Sequence, residues 1–150
     1  MDLKGFGRKM TIRADHLPEA VNRIVKLVAL AVDQTIVLAT PVDTGAARSN
    51  WVVSVDSPKS GIIDPYSPIE QGTDPSKIGE SANASRALDQ GKGVIQARPP
   101  GHNLYITNNL DYIEDLNNGK SAQAPASFVQ LAIQQGIAAV KGAKLDTGKK

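Results

Sequence analysis

Pro41 fixes where the first long element of this chain must end. Its ring locks φ, it has no backbone N–H, and it pushes Thr40 away from helical geometry. Upstream of it, Val21, Ile24, Val25, Val28, Val32, Thr35 and Ile36 recur at helical spacing, and Ala39 closes the face. Asp15 can cap this helix, with Leu17, Pro18 and Glu19 in its first turn, where a proline's missing N–H has no helical partner anyway. Arg23, Lys26, Asp33 and Gln34 are expected largely off the apolar stripe. The stripe is rich in β-branched residues, so tertiary packing and not intrinsic propensity must hold this helix.

The segment after the helix reads as a rigid elbow. Thr40-Pro41-Val42-Asp43-Thr44-Gly45 leads through Arg48 to Trp51, the only tryptophan. Asp43 or Thr44 can accept from backbone N–H groups two or three residues on and cap a short second helix. Gly45 permits a tight turn beside that cap. Arg48 is expected to point outward, with two readings open: a surface charge, or a bidentate contact to a carboxylate such as Asp43 within the elbow or on a neighbouring subunit. Trp51 is expected to start a strand with its ring in the core, and Trp51, Val53 and Val55 share one face of the alternating run to Asp56.

Further on, Ser81 to Leu88 predicts a short helix near Gly91 and Gly93, and Asn103 to Asn108 a second strand that can pair with the first. Asp111 to Leu116 predicts one or two acidic helical turns, closed by Asn117-Asn118-Gly119. After Pro125, Phe128, Leu131, Ile133, Ile137 and Val140 predict a final helix to about Lys141. The pattern gives an α+β domain: a small, mostly antiparallel sheet packed by a long N-terminal helix and a C-terminal helix, with an extended middle loop or arm.

With 150 residues the chain is expected to form one domain over 15–141, between flexible basic ends at 1–14 and 142–150. Each end has a net charge of +3 (residues 141–150 for the second), while the body between has 9 basic and 13 acidic residues. Two readings of the ends stay open: solvated tails, or contacts to an acidic neighbour or to DNA. Aromatic residues make up only 4%, which argues against an aromatic-lined ligand pocket. Cysteine is absent, which excludes disulfides and thiolate metal sites. The start of the chain shows no signal peptide, and no apolar run reaches membrane-spanning length. Residues 58–101 are weakly patterned; they serve either as an arm that orders on a neighbour or as a cover for one sheet edge. Ile62, Ile63, Tyr66 and Ile69 are the candidate anchors of that segment.

Catalytic chemistry needs a nucleophile with a base, an acid–base pair, or ligands at workable spacing. The two histidines, His16 and His102, stand at a helix start and beside a Pro-Pro-Gly turn, without partners at recognisable spacing. Asp111 and Asp115 lie one helical turn apart; a cation is conceivable there, but a solvated acidic helix start explains them too. Gly91-Lys92-Gly93 lacks the strand–loop–helix context of a phosphate site. The expectation is a non-enzyme with no cofactor and no metal.

Two blocks carry a resemblance. Pro41-Val42-Asp43-Thr44-Gly45, followed by Arg48, Ser49 and Trp51, is similar to a segment of the tail-completion and head–tail joining proteins of long-tailed bacteriophages. The run from Asn108 through Tyr112 and Gly119-Lys120-Ser121-Ala122-Gln123-Ala124-Pro125 resembles a later signature of that family, in the expected order. Together they cover about a third of the chain, and 58–101 matches nothing in the family's pattern. The resemblance implies a structural virion protein of the phage neck, made in the host cytoplasm. Such a protein would form a ring, commonly of six copies, around the DNA channel. It would meet the head connector or adaptor and the tail tube or tail terminator, possible DNA contact included, and no membrane. Tyr112, Gln123 and Pro125 join Ile62, Ile63, Tyr66 and Ile69 as interface candidates. The alternative from another class is a small nucleic-acid-binding or regulatory module working through its basic ends.

Overall fold

The computed structural model describes residues 18–42, 45–69, 82–120 and 124–142. The expected tails therefore lie almost wholly outside the described residues, as do His16, Asp43, Thr44 and Gln123. In chain order the elements are α1 (Pro18–Ala39), α2 (Ala46–Ser49), β1 (Val52–Val55), α3 (Ala82–Ala97), β2 (Leu104–Thr107), α4 (Ile113–Asn117) and α5 (Phe128–Gly142). The architecture is α+β, with one two-stranded antiparallel sheet among the described residues.

Helix α1 is the axis of the fold. Val21, Val25, Val28, Ala29, Val32, Ile36 and Val37 are buried along it. Helix α5 packs along it in the opposite direction: Phe128 lies near Leu38 and Ala39, Gly136 against Val32, and Val140 in one cluster with Val28. A Cβ on Gly136 would stand 2.8 Å from the Val32 Cα, so the glycine sets how closely the two helices approach.

The other flank of α1 receives α3 and the sheet. Val53 pairs with Ile106 and Val55 with Leu104, and these residues share the inner face with Trp51. Ile106 packs against all three apolar clusters and so joins the sheet to both helical flanks. Trp51 is buried, as its place in the alternation predicts.

Two readings are corrected. Helix α3 does not stop at Leu88; it runs through Gly91 and Gly93 to Ala97. Each glycine costs about 1 kcal/mol of helix propensity. Burial of Ala84, Ala87, Gly91 and Ile95 along one face offsets that cost. Asp33 is not off the stripe but only 2% exposed. Because α1 is covered on two flanks, its buried arc is wider than one amphipathic stripe, and Asp33 falls on the flank that faces α3.

Helices α1 and α3 also run antiparallel. Asn22 accepts from Arg98, Lys26 donates to the Gln96 carbonyl, Asp33 meets Gly91, and Ile36 and Val37 share a cluster with Ala84 and Ala87. Near the other end of the chain, Asn117 accepts from the Val129 N–H and so caps α5 from a neighbouring element. The acidic turn starts at Ile113, two residues after Asp111, and Gly119 closes it in the left-handed region at φ 91°.

Candidate functional site

The elbow is built by side chains that return to the end of α1. Arg48 donates through Nε to the Thr40 carbonyl at 3.0 Å and through Nη2 to the Leu38 carbonyl at 3.1 Å. These carbonyls lack helical partners, and a cation at a helix C-terminus also meets the negative end of the helix dipole. The expectation that Arg48 points outward is thus corrected: helix carbonyls hold it, and burial lowers its pKa. A contact to Asp43 lies outside the described residues. Trp51 donates from Nε1 to the Thr40 hydroxyl at 2.7 Å, and that hydroxyl donates to the Ile36 carbonyl. Thr40 therefore joins helix end, arginine and tryptophan in one unit.

Pro41 and Val42 are buried beside it. Gly45 holds φ 88° at the start of α2, and a Cβ there would come within 2.3 Å of the Asn83 side chain. Both the conformation and the space call for glycine. The expected cap from Asp43 or Thr44 lies outside the described residues.

Of 58–101, expected as an arm or an edge cover, residues 82–97 instead form the packed helix α3, and the described stretch 58–69 is fastened to the body by side-chain amides. Asn50 makes a two-way pair with the backbone of Ile63, at 2.8 and 2.9 Å. Asn83 makes another with Ser67, 2.7 Å in each direction, and also accepts from Ser49. The Ser49 hydroxyl accepts from the Tyr66 N–H, and Asn109 donates to the Lys59 and Gly61 carbonyls. An amide side chain offers the donor and acceptor of a peptide group, so these residues satisfy a loop backbone that has no strand partner. Gln90 does the same for Val53 and fills the open edge of β1 at that residue. A free sheet edge is not available for assembly there.

The interface candidates divide accordingly. Tyr66 packs beside the cluster of Trp51, Ala84 and Ala87, and Ile63 and Ile69 are half-buried. Ile62 is 63% exposed, and Tyr112 is exposed on a separate turn. Pro125 lines an open groove of about 280 Å³ with Leu38, Ala39, Ala124, Phe128, Leu131, Ala132 and Gln135. Leu38 and Leu131 are the exposed apolar side chains at this groove.

Charged groups are dispersed. No three His, Cys, Asp or Glu residues come together among the described residues. His102 contacts Asp56 at 2.9 Å on the surface, close to the Arg98 that binds its carbonyl. Asp115 pairs with Lys120 at 3.2 Å on the surface. No helix among the described residues is long and apolar enough to cross a membrane. Neither family models, curated proteins nor solved structures give a match to this chain.

Sequence reasoning placed Thr40 in the elbow but not its bonds to Trp51 and Arg48, and it missed the roles of Asn50, Asn83 and Gln90. A signal existed only for Thr40, through its place before Pro41. The others are single polar residues whose partners lie 13 to 37 positions away.

Proposed function

We propose that this chain is a structural subunit of a bacteriophage neck, which completes the tail and joins it to the head connector as a ring around the DNA channel. The observation that carries the reading is the pair of blocks at 40–51 and 108–125 that resemble the tail-completion and head–tail joining family. The reading is supported by what those blocks do in the fold: the first locks the end of α1 to β1, and the second caps α5 and borders the groove at Leu38 and Leu131.

The role is architectural, without catalysis or cofactor. The subunit is made in the host cytoplasm and resides in the virion. Its partners are copies of itself in a six-membered ring, the connector or adaptor, and the tail tube or terminator, with DNA passing through the channel. Ring closure needs two different faces on each subunit. Ile62, Leu38 and Leu131 supply exposed apolar side chains.

Light scattering across concentration, with electron microscopy of the same sample and of particles, tests this. Closed rings, alone or on addition of tail tubes, are expected. A strict monomer that joins no particle, and that shifts duplex DNA at low but not at high salt, would replace the neck reading with the nucleic-acid one.

A further inference from the structure

Asp33 is the one buried carboxylate among the described residues. It is 2% exposed, and its Oδ1 has no hydrogen-bond partner. Its side chain presses on α3 at Gly91, where an added Cβ would stand 2.2 Å from Oδ2 and 3.0 Å from a Val53 methyl. Only the missing side chain at position 91 leaves room for the carboxyl between the helices.

No cation faces it. On α1, Lys26 lies two turns away, about 10 Å of helix rise, and is held by the Gln96 carbonyl. Arg23 is exposed. On α3, Arg86, Asp89 and Lys92 are exposed, and Arg98 beyond its end is bound to Asn22 and the His102 carbonyl. The neighbouring Val53 of β1 is apolar, and α5 has no charged residue before Lys141. A charged carboxylate in such a place loses its hydration and gains nothing in return.

We propose that the Asp33–Gly91 contact is a pH-sensitive latch, in which ionisation of the Asp33 carboxyl unseats α3 from α1. The protonated carboxyl fits the contact; the carboxylate draws water in and parts the helices there. The neutral form persists to unusually high pH because burial pushes the Asp33 pKa up to about 7. Helix α3 carries two of the fasteners described above. Gln90 adjoins Gly91 and closes the β1 edge at Val53, and Asn83 holds Ser67 and Ser49. Release of α3 therefore frees the β1 edge at Val53 and the Ser67 end of the loop, while Asn50 and Asn109 keep their hold on Ile63, Lys59 and Gly61. The inference is independent of the phage reading.

Amide deuterium exchange on the full chain, corrected for intrinsic rates, tests it in wild type and Asp33→Asn. Wild-type protection of α3 and of Val53 is expected to fall roughly tenfold for each pH unit between about 5.5 and 7 and to stay below that of the α5 core amides, which follow global unfolding. In Asp33→Asn the fall is expected to vanish. An equal fall in both proteins, no fall in wild type, or an α3 protection no lower than that of α5 would overturn the latch. If Asp33→Asn does not fold, the carbon-detected titration of the Asp33 carboxyl in wild type decides: a midpoint near neutrality supports the latch, and one in the ordinary carboxylate range sinks it.

Discussion

Arg48 and Thr40 show how single side chains settle a chain direction that backbone preferences only suggest. Pro41 ends α1 but does not say where the chain goes next. The guanidinium fixes that by binding the Leu38 and Thr40 carbonyls from a position nine residues beyond the helix end. Arg48→Ala should therefore cost about 1–3 kcal/mol in urea unfolding, since it removes two charge-assisted bonds. Arg48→Lys should recover only part of it, because an ammonium is a point charge and not a planar fork. Thr40→Val tests the second half of the joint, because it strands the Trp51 N–H in a buried site. A loss of about 1–3 kcal/mol is expected, and most of it should disappear when Trp51→Phe is already present. Additive losses from the two substitutions would mean that the bond contributes nothing. Trp51 and Pro41 were legible as anchor and stop because each acts through its own bulk or ring. The direction of Arg48 was not, since its acceptors are backbone groups whose position depends on the turn.

At the scale of elements, the glycines in the helices separate local from tertiary forces. Gly93 in α3 has open space where a Cβ would be, so Gly93→Ala should stabilise by about 0.5–1 kcal/mol through helix propensity. Gly136 in α5 sits on the Val32 backbone, which cannot give way as a flexible side chain can. Gly136→Ala should lose roughly 1–3 kcal/mol despite the same gain in propensity. Thermal unfolding of the two variants checks the pair, and stabilisation by both would refute the close α1–α5 approach. The same distinction explains why α3 was read too short. Two glycines in three residues look like a stop, yet the face of Ala84, Ala87, Gly91 and Ile95 is buried and continues through them. The strands, α1 and α5 were easier to read, because their apolar periods run without such breaks.

For the whole molecule, the buried carboxyl sets how stability depends on pH. Below about pH 4, Asp33 is neutral in both folded and unfolded chains and contributes no pH dependence. Between its ordinary value of 3.8 and its folded value of about 7, only the folded chain keeps the proton, so stability falls as pH rises. Above that window the loss is complete, at about 4 kcal/mol for a shift of this size. The difference in unfolding free energy between Asp33→Asn and wild type should therefore grow in favour of the variant from pH ~4 to pH ~7 and then level off. A constant difference across that range would rule out the raised pKa. The opposite trend would require a cation beside Asp33 in the folded chain.

Sequence alone determined the features that depend on near neighbours along the chain. These are the long first helix and its stop, the paired strands with Trp51, Val53 and Val55 inward, and the last helix from about Phe128. Periodicity and proline geometry act over one or two turns, so they are visible in one dimension. Tertiary structure decided what depends on distant partners: the burial of Asp33 against Gly91, the length of α3, and the amide fasteners at Asn50, Asn83 and Gln90. A buried polar group is stable or costly according to what faces it, and the groups that face these residues are brought there only by the packing of the helices and the sheet.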